Sequence, residues 1–236
     1  MHKVIENKDF FPLTNLQKAY FVGRDKGFET GGIPTYIYHE FENDFEHDRF
    51  EKVLNKTIEN QPMLRAEYND RSGQKIIPAE KFGYYHVEHY DFSALSDEEQ
   101  EKRISEIREE ITASLKNSEK MFVFHTASLN NGKTCIFSGC NLLVADAFSL
   151  VFILMRELKS GYENDTEDEI SPLSFSDYVS MKETEKNTEA YEADRNFWRE
   201  KLSEISPAPD IPIKKEGLSE INANNLRKLT KVLKSK

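Results

Sequence analysis

The segment GCNLLVADAFSL, Gly139 to Leu150, sets one carboxylate, Asp146, among apolar residues, with Asn141 five positions before it and Ser149 three after. A carboxylate takes and returns protons, whereas an amide and a hydroxyl offer hydrogen bonds but no useful basicity near neutrality. The run leaves an apolar strand and enters an apolar helix, a kind of turn where backbone amides and side chains converge on a ligand. Asp146 therefore has two readings from its surroundings. It is a helix cap or buried salt-bridge partner, or it is an active-site carboxylate whose pKa is set by burial. Ser149 has neither a G-x-S-x-G context nor a nearby His, so on its own it reads as a packing or helix-surface serine rather than a nucleophile.

Other chemistry-bearing residues give less. Cys135 and Cys140 lie five apart in one strand and its exit, an odd separation that turns them to opposite faces, so two reduced thiols are expected. The six histidines show no ligand spacing around that pair, which argues against zinc. His125, in an apolar strand, is expected to be a satisfied interior or edge residue, and Trp198 a packing residue at a helix end. With 32 basic and 42 acidic side chains the chain has a net charge of -10, which disfavours a generic nucleic-acid binder. No apolar stretch approaches the roughly 20 residues needed to span a bilayer, and the first residues, MHKVIENKDFF, carry no apolar signal core. A cytoplasmic protein without membrane contact is the expectation.

The elements that must position these groups follow from periodicity. NLQKAYFVGR is helical, with Thr14 as N-cap; TYIYHEF alternates as a half-buried strand after the break at Gly31 and Gly32; HDRFEKVLNKTIENQ sets Phe50, Val53, Leu54 and Ile58 on one helical face. MLRAEYNDRSGQKII reads as two short strands about a polar turn, Asn69 to Gly73, and YYHVEHYD as a further strand. Ile104, Ile107, Ile111 and Leu115 define an amphipathic helix behind a Ser and acidic start, and two apolar strands flank the hairpin signal Asn131-Gly132. From Ala147, SLVFILMREL is apolar enough to demand burial on most sides. The acidic stretch GYENDTEDEISP reads as a surface loop, FSDYVSMKE and YEADRNFWREKL as helices, and SPAPDIPIK as an extended connector. Leu226, Leu229 and Leu233 fall in helical register in the basic tail. Helices interleaved with hairpins predict an α/β sandwich in which helices cover a mixed β-sheet.

Four stretches, in order over residues 10 to 213, carry a resemblance to a known family. FPLTNLQKAYFVGR, QPMLRAEY, SFSDYV and FWREKLSEISPAPDIPI resemble motifs of the heterocyclization domains of nonribosomal peptide synthetases, a branch of the condensation-domain superfamily. The family's signature is two aspartates separated by four residues, and a serine separated from the second by two more. Here Asp146 and Ser149 match, and Asn141 stands where the first aspartate belongs. Ordinary condensation domains carry HHxxxDG at this place; residues 141 and 142 are Asn and Leu, which removes the histidine-dependent readings.

The resemblance implies a chloramphenicol-acetyltransferase-like sandwich forming one lobe of a two-lobed domain. Residues 1–205 would be the N-terminal lobe, and 206–236 a linker and the start of the connection to a second lobe. It implies condensation of a carrier-bound acyl thioester with a Cys, Ser or Thr thioester, then cyclodehydration to a thiazoline or oxazoline. Asp146, Asn141 and Ser149 become the catalytic candidates, and Arg65 the residue expected to pair with Asp146 and hold it. Tyr20, Gly23 and Arg24 are expected to shape the first helix. The resemblance implies no metal and no cofactor bound directly; the substrates ride on the phosphopantetheine arms of upstream and downstream peptidyl carrier proteins. The isolated lobe is expected to be inactive. The alternative is a degenerate condensation-like module that only condenses, or that docks carrier proteins without catalysis.

Overall fold

The computed structural model describes residues 10–24, 34–69, 73–117, 120–164 and 173–207. Helix α1 (Asn15–Gly23) starts at a capping box: the Gln17 N–H donates to Thr14 Oγ1 at 3.2 Å and the Thr14 N–H to Gln17 Oε1 at 3.0 Å. Strand β1 (Tyr36–Asn43) is followed by helix α2 (His47–Asn60), a 3-10 turn (Pro62–Arg65) and the short pair β2 (Ala66–Asn69) and β3 (Gly73–Ile76). A one-turn helix α3 (Ala79–Phe82) precedes β4 (Glu88–Asp91), so the strand expected over YYHVEHYD is confined to its second half. Helix α4 (Asp97–Asn117) opens on a second capping box, Ser96 with Glu99. The hairpin β5 (Phe122–Ser128) and β6 (Thr134–Asn141) turns at Gly132, whose φ of 80° suits a residue without Cβ.

These strands form a mixed sheet in the order β1-β6-β5-β4, antiparallel except for the parallel β4–β5 pair. Period-two alternation divides the core between its faces. On one face Ile104, Ile107, Ile111 and Leu115 of α4 pack on Val123, Ala127, Cys135 and Phe137. On the other, Phe50, Leu54 and Ile58 of α2 meet Phe122, Phe124, Ile136 and Cys140. The two cysteines thus fall on opposite faces, free and buried, and burial pushes both thiols up to about 12. β6, buried along its whole length, is the spine of the sandwich. At Gly139 α4 comes so close that an added Cβ would lie 2.6 Å from Leu115 Cδ1 and 2.7 Å from Ile111 Cγ2.

Beyond β6 the chain enters a helix whose first part is a π-turn (Ser149–Leu154), continued by α5 (Met155–Asn164). Its burial differs from expectation. Leu150, Leu154 and Leu158 form one buried stripe, while Phe148 is 63% exposed and Val151, Phe152 and Ile153 are exposed beside it. The run is apolar on both sides but covered on one. Helices α6 (Phe175–Glu185) and α7 (Glu189–Glu204) follow, and α7 is capped by Thr188 Oγ1 accepting from the Tyr191 N–H. Trp198 is not a core residue: it is 60% exposed and lies edge-on to its neighbour Phe197, in a helix that buries none of its residues. Among the described residues, 10–21 and 34–179 cluster in one compact unit, and 22–24 and 180–207 in another. Gly31 and Gly32, most of the acidic loop and the tail leucines lie outside the described residues.

Candidate functional site

The end of β6 is held from three directions. The Asn141 N–H donates to Met121 O at 2.8 Å, the Leu142 N–H to Thr35 O at 2.9 Å, and Asn141 Oδ1 accepts from the Leu143 N–H at 3.0 Å. The last of these is an Asx-turn, a side chain closing a turn on its own backbone two residues on. Asn141 is 2% exposed and its side chain shapes the turn from within.

The next carbonyl, Leu143 O, accepts from Gln17 Nε2 at 2.8 Å and from the Tyr68 hydroxyl at 2.7 Å. Gln17 and Gln74, both buried, exchange amide hydrogen bonds of 2.8 and 2.9 Å, and the second Gln74 donor reaches Pro12 O at 3.0 Å. Every donor of this amide pair is used, so the network carries no unmet polar cost. The Gln of the first motif is thus structural, linking α1 and β3 to the turn that leads to Asp146. Gln74 and Tyr68 were missed in the sequence, where no local pattern connects them to residue 143.

Asp146 caps the following helix. Its Oδ1 accepts from the Ser149 N–H at 2.7 Å, and its carbonyl from the Leu150 N–H at 2.9 Å. The Ser149 N–H, then the Ser149 hydroxyl, and to a smaller degree the Phe148 N–H, hold its carboxyl below the usual carboxylate range, against a small opposing effect of burial. The residue is exposed and forms the cap, not a buried salt bridge, and the other reading, an active-site carboxylate with its pKa set by burial, is not supported by its exposure. At neutral pH it is an ionised group, able to accept a proton or stabilise positive charge.

The expected pair between Arg65 and Asp146 is not formed. Arg65 is buried at the end of the 3-10 turn, with Nε donating to Ile58 O at 2.9 Å, Nη2 to Glu59 O at 3.1 Å and Nη1 to Ile77 O. Ile58 and Glu59 lie in the last turn of α2, where carbonyls lack intrahelical partners and a cation is favoured by the helix dipole. Arg65 therefore supports the α2 terminus and β3, with burial drawing its pKa down. Beside it, Asn60 and Gln61 donate to the buried carboxylate of Glu157 at 3.2 and 2.6 Å, tying α2 to α5.

Asp146 and Ser149 open on a cleft of ≈ 350 Å³ whose walls include Thr14, Gln17, Gln61, Met63, Ile153, Phe175 and Tyr178. Asn141 is not among its lining residues. Of the four site residues expected from sequence, the structure brings Asp146 and Ser149 together at the cleft, places Asn141 beneath the turn, and sets Arg65 at the end of α2. His125 is also not the satisfied histidine expected: it is buried, and its Nδ1 has no hydrogen-bond partner among the described residues.

A mixed sheet covered by helices on both faces, with a cleft at the exit of its central hairpin, matches the chloramphenicol-acetyltransferase-like fold of condensation domains. The chain belongs to the condensation-domain family, whose model, "Condensation domain", matches residues 7–231. It is 36% identical to bacitracin synthase 1 of Bacillus licheniformis over 211 residues, which cover 88% of this chain and 4% of that protein. It is 26% identical to the phenyloxazoline synthase MbtB of Mycolicibacterium paratuberculosis, over 86% of this chain and 17% of that one. Among solved structures it resembles the EpoB cyclization-docking bidomain of Sorangium cellulosum, with a TM-score of 0.77 and 26% identity, over 88% of this chain and 41% of that one. The chain thus spans a minor part of the length of these relatives. No described helix is long and apolar enough to cross a membrane.

Proposed function

We propose that the chain is the N-terminal lobe, residues 1–205, of a nonribosomal peptide synthetase heterocyclization domain, with 206–236 leading toward a second lobe. The observation that carries this reading is the Asp146–Ser149 pair, the two retained members of the signature, side by side at the mouth of the cleft. Names among the relatives agree with it: phenyloxazoline synthase for MbtB and cyclization for EpoB.

In the first step the amine of a carrier-bound Cys, Ser or Thr attacks an acyl thioester, forming the amide and releasing the upstream phosphopantetheine thiol. In the second, the side-chain thiol or hydroxyl attacks that amide carbonyl and water leaves, giving the ring. Both steps remove a proton from a nucleophile, and the ionised Asp146 carboxylate is the group at the cleft suited to accept it. Substrates delivered on tethers gain further from positioning. Ser149 orients the carboxylate. Asn141 carries no proton in this scheme; it fixes the turn, which its amide oxygen does as an aspartate oxygen would. Arg65 supports the site at one remove, through α2 and β3. The partners are the second lobe and the two peptidyl carrier proteins, in the cytoplasm.

The test is to load upstream and downstream carrier proteins, add the full-length domain and follow product mass. An amide followed by a species lighter by one water is expected. An amide that never loses water refutes cyclization and supports the second reading, a module that condenses only, which the Asn at 141 favours; the Asn141→Asp variant then shows whether that residue is the cause. No amide at all refutes catalysis and leaves carrier docking.

A further inference from the structure

On the α4 face of the sheet, away from the cleft, three potential metal ligands meet that lie far apart in sequence. His125 of β5 stands opposite Glu88 of the edge strand β4 in the parallel register, and Glu110 comes down from α4. One ligand atom from each lies within 4.8 Å of the others. The imidazole is 7% exposed, its Nδ1 has no hydrogen-bond partner among the described residues, and Glu88 Oε2 is 3.6 Å from that nitrogen, too far for a hydrogen bond. A buried ring nitrogen without a partner is costly unless something else satisfies it. Tyr90 stacks on the ring at 5.8 Å between centroids, and its hydroxyl donates to Glu110 Oε2 at 3.4 Å, so a second layer already orients one carboxylate.

We propose that Glu88, Glu110 and His125 form a binding site for one divalent transition-metal cation, with water completing its coordination. One imidazole with two carboxylates suits Zn²⁺ or Co²⁺, whereas Ca²⁺ and Mg²⁺ prefer oxygen alone. The cation would clamp α4 to the edge strand β4, adding to the Tyr90–Glu110 hydrogen bond and the packing of Tyr90 on the α4-face core. The histidine spacing gave no hint of this, because the other two ligands are carboxylates supplied by separate elements.

The test uses the untagged chain, freed of metal with a chelator, titrated with ZnCl₂ by calorimetry and melted with and without the ion. One Zn²⁺ per chain and a rise in melting temperature are expected, with little rise from CaCl₂ at the same concentration. Because Glu88 and Glu110 are exposed, the Glu88→Gln/Glu110→Gln variant should melt normally without metal, yet bind Zn²⁺ at least about tenfold more weakly. Failure to bind one equivalent, undiminished binding by the double variant, or an equal effect of Ca²⁺ would each overturn the proposal.

Discussion

Asp146 has two separable roles, and substitution tells them apart. As a cap it needs only an acceptor oxygen aimed at the Ser149 N–H, which asparagine also supplies. Asp146→Ala should therefore cost about 1 kcal/mol in denaturant unfolding, and Asp146→Asn only a few tenths. As a proton acceptor it needs the charge, so both variants should lose product formation in the full-length domain. If Asp146→Asn keeps full turnover, the carboxylate is a cap and nothing more. The pH dependence follows from the depressed folded-state pKa: the stabilisation is whole above the unfolded-state value and is lost as pH falls through the lower folded value. The Asp146→Asn variant should lack that part of the acid transition. Asp146 and Ser149 were legible as a pair because the signature is local in sequence. Arg65 was recognised as a supporting residue but assigned the wrong partner, since the carbonyls it binds belong to α2 and to Ile77 just after β3 and carry no side-chain code.

Elements meet the signature turn through a few close contacts. The Gln17–Gln74 pair joins α1 to β3 and, through Leu143 O, to the turn after β6. Gln74→Ala removes both amide bonds and leaves Gln17 and Pro12 O short of partners, a cost of about 1–3 kcal/mol in chemical denaturation. With Gln17→Ala the double variant should lose less than the sum, since the two residues act as a unit. Gly139→Ala would force α4 off β6, where Leu115 and Ile111 occupy the space of a Cβ, and should cost about 1–3 kcal/mol in the same measurement. The strands and helices α2 and α4 were readable because each has its own period, whereas α6 and α7 were read as helices without a buried stripe to mark them. The amide pair and the π-turn were not, since a contact between residues 17 and 143 leaves no trace in either segment. Periodicity likewise failed to say that the helix after Ala147 is covered on one side only: an all-apolar run names no preferred face.

At the scale of the molecule, stability is unevenly distributed. β6 is buried on both faces and paired on both edges, whereas α7 buries no residue and its Phe197, Trp198 and Leu202 face outward. Amide exchange follows that difference, because groups that open only with the whole fold exchange last and helices with few buried contacts exchange early. Hydrogen exchange read by mass spectrometry should find Thr134 to Asn141 among the slowest amides of the chain and Glu189 to Glu204 far faster. The outward Phe148 and Phe152, whose rings lie 4.8 Å apart on the helix that Asp146 caps, form a further exposed apolar surface among the described residues. If a second lobe closes over the cleft, the same experiment on the longer domain should slow exchange at residues 148–153 while leaving β6 unchanged. Equal rates there with and without the second lobe would place that lobe's contact elsewhere.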